Sequence, residues 1–309
     1  MNKIGLLFGG QGQQVIGMEQ CLINKSDIYS RANDILDYDL INVSFNEQLL
    51  NQTIYTQPAL LTFNHGLYEL LENKINIEYV AGLSLGEYNA LLASDVLSFN
   101  DALRLVNKRA SIMSNALPPQ SSKMVALLKV DISLVEDILS NNELKNKVKI
   151  CNYNTNDQIV IGGKSECVDK AIEYLKKNGI KRIVELDVSI ASHMNLLDDA
   201  SKELEIELKK YKFEKPNKKL ISNISGEVEE DNFVMNLSRH ISNATYMNKS
   251  IELMLEDGVN TFIEIAPKKA LLGFVKTIAK QMNKEVNLYL ISDVQSLNEV
   301  VNEVNKNGK

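Results

Sequence analysis

The sequence predicts an α/β fold in which a small domain is inserted into a larger one, and three observations carry that prediction. Short apolar runs ending in glycine alternate with stretches of helical spacing, the mark of a parallel sheet with helices on its faces. From about Met124 the order becomes strand, helix, strand, strand, helix, strand, which is the ferredoxin-like arrangement. A long helix and further short strands then resume. With 309 residues, 44% of them hydrophobic, the chain can fill the cores of one large or two smaller domains.

The elements follow in order. "KIGLLFGG" is a buried strand running into glycines, "TQPALLTFNHGLYELLENK" has helical spacing, and "IEYVAG" is a second short strand. In "SFNDALRLVNKRASIMSNAL", Ser98 and Asp101 form a capping pair that starts a helix. Within the inserted block, "MVALLKVD", "VKICNYN", "DQIVIGG" and "RIVELDVSI" are strands, and "SLVEDILSNN" and "SECVDKAIEYLKKNG" are helices. In the last strand Val184, Leu186, Val188 and Ile190 alternate with Glu185, Asp187 and Ser189, which predicts one covered face. "NLLDDASKELEIELKKY" is a helix and "TFIEIAP" lies among the closing short elements; "KKYKFEKPNKK" and the tail "NEVNKNGK" are weakly biased polar stretches.

A net charge of −6 argues against a general nucleic-acid binder, whose footprint is basic. No run of about 18 apolar residues suggests a membrane span, and the N-terminal apolar run is too short for a signal peptide, so a soluble cytoplasmic protein is expected. Cys21, Cys151 and Cys167 are far apart with no CxxC pair, which predicts buried thiols with no disulfide framework and no metal site.

Ser84 lies in G-L-S-L-G between a strand and a helix. A nucleophile elbow needs that context, with the N–H of the next residue, Leu85, aimed at a developing oxyanion; a small residue in a tight βα turn fits the same pattern. "GGQGQQ" at residues 9–14 lets the backbone approach a ligand near Gln11 and supply a second such N–H, or is simply a flexible turn. Arg109 shares a helix face with Leu105, Val106, Ile112 and Met113, whereas Arg104, Lys108, Ser111 and Asn115 form the polar face. A guanidinium on an apolar stripe needs an internal acid, a route to the surface, or a substrate carboxylate to clamp. Only His65, His193 and His240 are present; His65 sits in an amphipathic helix and is read as structural, and His193, at the end of the small domain, is the best base for Ser84.

Taken together, "FGGQGQQVIGM", "TQPALL", "GLSLGEYNALLASDVLSFNDALRLV", "CNYNTNDQIVIGG", "SIASHMNLL" and "FIEIAPKKALLG" resemble the malonyl-CoA:acyl-carrier-protein transacylases, including the discrete acyltransferases of fatty-acid and polyketide synthesis. The resemblance spans nearly the whole chain. It implies an α/β-hydrolase-like large subdomain (1–122 and 195–309) and a ferredoxin-like small subdomain (123–194). It further implies that Ser84 is the acyl-accepting nucleophile, His193 its base and Arg109 the binder of the malonyl carboxylate. The backbone N–H groups of Gln11 and Leu85 would form the oxyanion hole, and a main-chain carbonyl near His240 would orient the base.

The chain departs from the family pattern at four places. Leu83 stands where a histidine is usual, Gly9 where a proline is, Ala266-Pro267-Lys268-Lys269 where the pattern is G-P-G-K, and His240 where a glutamine is common. The implied reaction passes a malonyl group from malonyl-CoA through the serine to a carrier protein's phosphopantetheine thiol. It needs no cofactor or metal. Acyl carrier protein and malonyl-CoA are the expected partners, with no nucleic acid and no membrane, and a monomer is expected. Because carrier proteins are acidic, Lys181, Arg182, Lys268 and Lys269 are candidates for a basic rim. The alternative is an acyl hydrolase of the same fold, and Arg109 speaks against it.

Overall fold

A computed structural model describes residues 3–140 and 143–307. Two five-stranded sheets organise them. The first is entirely parallel, in the order β10 (Asn287–Ile291), β9 (Val259–Ile265), β1 (Lys3–Phe8), β2 (Tyr79–Gly82) and β7 (Lys219–Leu220). β1 is apolar without interruption because both its faces are covered. Ile4, Leu6 and Phe8 enter the core beneath the Thr53–Leu71 helix, and Leu7 enters the one beneath the Met247–Glu256 and Leu271–Gln281 helices. The carboxyl ends of β1, β2 and β9 therefore open together on one edge, where ligands of parallel sheets bind.

The second sheet has the order β6 (Ile183–Glu185), β3 (Ser122–Leu128), β5 (Gln158–Lys164), β4 (Val148–Thr155) and β8 (Thr245–Tyr246). Its first four strands are antiparallel, with the Ile132–Leu139 and Ser165–Lys177 helices packed on one face, the arrangement expected for the inserted block. β8 pairs parallel to β4 and comes from outside residues 123–194, so a segment beyond the insertion completes the sheet. Asn141 and Asn142, placed by sequence at the end of a small-domain helix, lie outside the described residues.

Two expectations need correction and one element was not foreseen. The strand drawn through "RIVELDVSI" stops at Glu185, and Val184 is exposed. The Leu186 N–H still bonds the Met124 carbonyl of β3, but the Val188 N–H bonds the Leu186 carbonyl, a three-residue turn, so residues 187–190 leave the edge and line the cleft instead of extending the ladder. The polar tail, which the sequence reading left without an element, ends the Val294–Asn307 helix, in which Leu297, Val300 and Val304 are buried at helical spacing; Gly308 and Lys309 lie outside the described residues. Cys151 and Cys167 are buried thiols, but Cys21 is only half-buried.

Candidate active site

A cleft of about 440 Å³ separates the two sheets. The large subdomain contributes the 10–14 loop, Ser84, Leu85 and Arg109, and the small one contributes Met124, Asn152, Asn154 and the 186–190 segment. Each sheet thus presents one wall.

Ser84 sits directly after β2 at φ 53°, a left-handed conformation that is strained for a side-chain-bearing residue. Gly82 allows the turn, because a Cβ there would run into the Gly86 carbonyl. Asn223 braces it from behind. Its Oδ1 accepts the Ser84 N–H at 2.8 Å, and its Nδ2 donates to the Gly82 carbonyl.

His193 also has positive φ, 61°, and is buried. Its N–H donates to the Ile241 carbonyl at 2.8 Å, and its Nδ1 lies 2.7 Å from the His240 carbonyl oxygen. A carbonyl can only accept, so the proton is on Nδ1, and Nε2, 2.9 Å from Ser84 Oγ, carries the lone pair. Burial, followed by the nearby His240 and Arg109, holds the imidazole well below its ordinary pKa. The neutral imidazole faces the hydroxyl.

Arg109 reaches the same hydroxyl from the Phe99–Ala116 helix, whose N-cap is Ser98 accepting the Asp101 N–H at 3.2 Å. Only 1% of the arginine is exposed, so it does not snorkel. Nη1 donates to Gln57 Oε1 at 2.5 Å and Nη2 to Ser84 Oγ at 3.3 Å, while Nε has no partner. Among the described residues no acidic side chain pairs with it. Burial accordingly lowers its pKa, with the charge-stabilising Tyr88 and Glu87 only partly compensating. Of the three ways to accommodate this arginine, an acidic partner and an exit to solvent are both missing, and the guanidinium opens on the cleft.

Leu85 begins the Gly86–Ala93 helix, and Gln11 lies in the glycine loop. Neither backbone N–H has a protein acceptor among the described residues, and both residues line the cleft. The loop is pinned by Gln13, whose Oε1 accepts the Gly10 N–H at 2.9 Å and whose Nε2 donates to buried Glu264 at 2.9 Å. Glu264 also caps the Leu271–Gln281 helix by accepting the N–H groups of Ala270, Leu271 and Leu272. Sequence reading missed Gln13, Glu264 and Asn223; the only signal was a buried-strand glutamate in "TFIEIAP".

The unusual residues each find a place. A Cβ at Gly9 would come 2.7 Å from the Ala266 methyl, so the changes at 9 and 266 are complementary. Leu83 is half-buried against the second core, and it lines the cleft with Phe274. The His240 carbonyl is the partner of His193 Nδ1. Its side chain is 1% exposed and its Nδ1 lies 2.8 Å from Glu87 Oε2, short of a well-directed hydrogen bond. His65 is packed structurally, stacked on Phe99 with a 5.2 Å centroid separation. Lys181, Arg182, Lys268 and Lys269 are all exposed.

A strained serine, a neutral imidazole oriented by a carbonyl, and two free N–H groups define a site for acyl transfer through a serine ester. The family model "Acyl transferase domain" matches residues 6–307. The malonyl CoA-acyl carrier protein transacylase of Staphylococcus aureus (strain MSSA476) is 33% identical over 308 residues, 97% of this chain and 99% of that one. Among solved structures, the transacylase of that name from Clostridium perfringens has a TM-score of 0.92 at 35% identity, covering 98% of each chain. A malonyl-transacylase in complex with a type II polyketide-synthase acyl-carrier protein has a TM-score of 0.92 at 29% identity, covering 98% of this chain and 100% of that one. The chain belongs to the acyl transferase family and, within it, to the malonyl-CoA:acyl-carrier-protein transacylases. It is an acyltransferase with the two-subdomain fold of those enzymes.

Proposed function

We propose that this chain transfers a malonyl group from malonyl-CoA, by way of a Ser84 ester, to the phosphopantetheine thiol of an acyl carrier protein. The observation that carries the proposal is the convergence on one hydroxyl of His193 Nε2 at 2.9 Å and Arg109 Nη2 at 3.3 Å. On this reading His193 is the base and Arg109 the carboxylate-binding cation, and their convergence on the Ser84 hydroxyl supports it.

Ser84 Oγ attacks the thioester carbonyl as its proton passes to His193 Nε2. The oxyanion is received by the Gln11 and Leu85 N–H groups, each such donor being worth about 2.7–4 kcal/mol. As the tetrahedral intermediate collapses, the C–S bond breaks and the imidazolium returns its proton to the departing CoA thiolate. The carrier thiol repeats the sequence on the ester and Ser84 recovers its proton, a ping-pong exchange. One thioester replaces another, so the reaction needs no cofactor and no metal.

Arg109 selects acyl groups that end in a carboxylate, because a neutral acyl group leaves a buried cation without a partner. It also favours transfer over the hydrolase reading. The three free cysteines suit the cytoplasm. Among the described residues no helix is long and apolar enough to cross a membrane.

The test is intact mass after incubation with malonyl-CoA, followed by addition of carrier protein. Wild type is expected to gain one malonyl group and pass it on, and Ser84→Ala to gain none. A wild-type protein without the adduct, or an adduct that survives Ser84→Ala, refutes the proposal.

A further inference from the structure

The Ser84–His193 pair is held from behind by a side chain that no step above uses. Glu87 follows Ser84 by one turn of the elbow and is 2% exposed, yet no lysine or arginine pairs with it among the described residues. Its two oxygens serve different halves of the site. Oε1 accepts the backbone N–H of Asn223 at 3.0 Å, and Asn223 in turn bonds the Ser84 N–H and the Gly82 carbonyl on the two sides of the elbow. Oε2 lies 2.8 Å from His240 Nδ1, and the carbonyl of that same His240 sets the His193 ring.

Both reacting residues have positive φ. Such backbone persists only where its surroundings over-determine it. The brackets that do so, Asn223 for the serine and the 240–241 backbone for the histidine, stand on separate elements, after β7 and at the end of the Phe233–His240 helix, and meet at one carboxyl group. We propose that Glu87 is a positioning residue for acyl transfer, fixing the nucleophile's turn through Asn223 and the base's carbonyl partner through the His240 side chain. The inference rests on the acyl-transfer reading.

The groups that face Glu87 are His240, Asn223 and Ser222, with Arg109 acting on it at longer range and Glu229 as a distant like charge. Burial raises the Glu87 pKa to about 7 and lowers that of His240 to about 3. In the neutral acid form, the carboxyl offers a carbonyl to the Asn223 N–H and an O–H to His240 Nδ1. A glutamine offers a carbonyl and an N–H in the same two directions. Glu87→Gln should therefore preserve the brace, and Glu87→Ala should remove it.

The experiment is rapid-quench acylation of the full chain by malonyl-CoA, read by intact mass, for wild type, Glu87→Ala, Glu87→Gln, Asn223→Ala and the Glu87→Ala/Asn223→Ala double variant. A misplacement of about 1 Å costs about 100-fold in rate, so the limiting acylation rate is expected to fall by about that factor in Glu87→Ala and in Asn223→Ala. Half-saturation by malonyl-CoA should stay near wild type, since neither group touches substrate. Glu87→Gln should restore most of the rate, and the double variant should be less impaired than the product of the single losses, because the residues act in series. Should Glu87→Ala fail to fold, Asn223→Ala and Glu87→Gln still decide. Near-wild-type rates in the alanine variants, weaker saturation at an unchanged limiting rate, or a glutamine variant that has lost most of its rate overturns the inference. A wild type that forms no malonyl-Ser84 refutes instead the function on which it rests.

Discussion

Replacing Arg109 by alanine removes the one cationic side chain among the described residues that line the cleft. Arg109 is 1% exposed, its hydrogen-bond partners are the neutral Gln57 and Ser84, and its guanidinium lies 5.5 Å from the centre of the Tyr88 ring. A substrate carboxylate would then be its only full counter-charge. Removing one member of a buried ion pair typically costs about 3–5 kcal/mol. The Gln57 amide and the Ser84 hydroxyl remain to solvate the carboxylate, which favours the lower end, about 3–4 kcal/mol. At 1.36 kcal/mol per decade this is about a 10²–10³-fold loss in kcat/KM for malonyl-CoA. Acetyl-CoA should respond in the opposite direction, because wild type must leave the cation unpaired beside a methyl group and the variant need not. The assay is acyl-enzyme formation from each thioester in separate reactions, for wild type, Arg109→Ala and Arg109→Lys. Lysine keeps the charge but loses the planar fork and should be intermediate. A malonyl rate within tenfold of wild type in Arg109→Ala, or an unchanged malonyl-to-acetyl ratio, would refute the clamp.

Three other expectations follow from the same geometry. Burial keeps His193 well below its ordinary value of 6.5, so its proton-accepting form persists as pH falls through 6.5; the pH profile of kcat/KM should be flat there, and an acid limb centred at or above 6.5 would contradict the assignment. Gly82→Ala drives a Cβ into the Gly86 backbone and should destabilise the fold by about 1–3 kcal/mol, so an unchanged melting temperature would show that the elbow has room to spare. Glu264→Ala strands the Gln13 amide and the capped N–H groups of Ala270, Leu271 and Leu272. It should cost about 3 kcal/mol or more and slow Ser84 acylation by loosening the Gln11 loop, and calorimetry together with the acylation rate reads both effects.

The sequence by itself determined the elements whose signal is local. The strand before Ser84, the Ser98 cap, the apolar face that carries Arg109 and the strand order of the insertion all follow from periodicity and turn chemistry within about 20 residues. The resemblance of ordered motifs also pointed to His193 and Arg109, which the fold brings within reach of the Ser84 hydroxyl. The edge strand was misread and the C-terminal helix was not assigned. An in–out alternation suits a strand and a bent cleft-lining segment alike, and four valines and a leucine among polar residues make a weak stripe.

Tertiary structure alone decided the rest. Whether Arg109 is paired depends on every acid near it in space, and Asn223 braces Ser84 across 139 residues and Glu87 across 136. The carbonyl that sets His193 belongs to a backbone group 47 residues away, and every residue type has that group. A polar contact across such distances leaves no periodic trace, because one hydrogen bond constrains one atom and not a face. The fold brings Ser84, His193 and Glu87 together near the ends of parallel strands, where the backbone runs out of ladder partners and side chains must supply them.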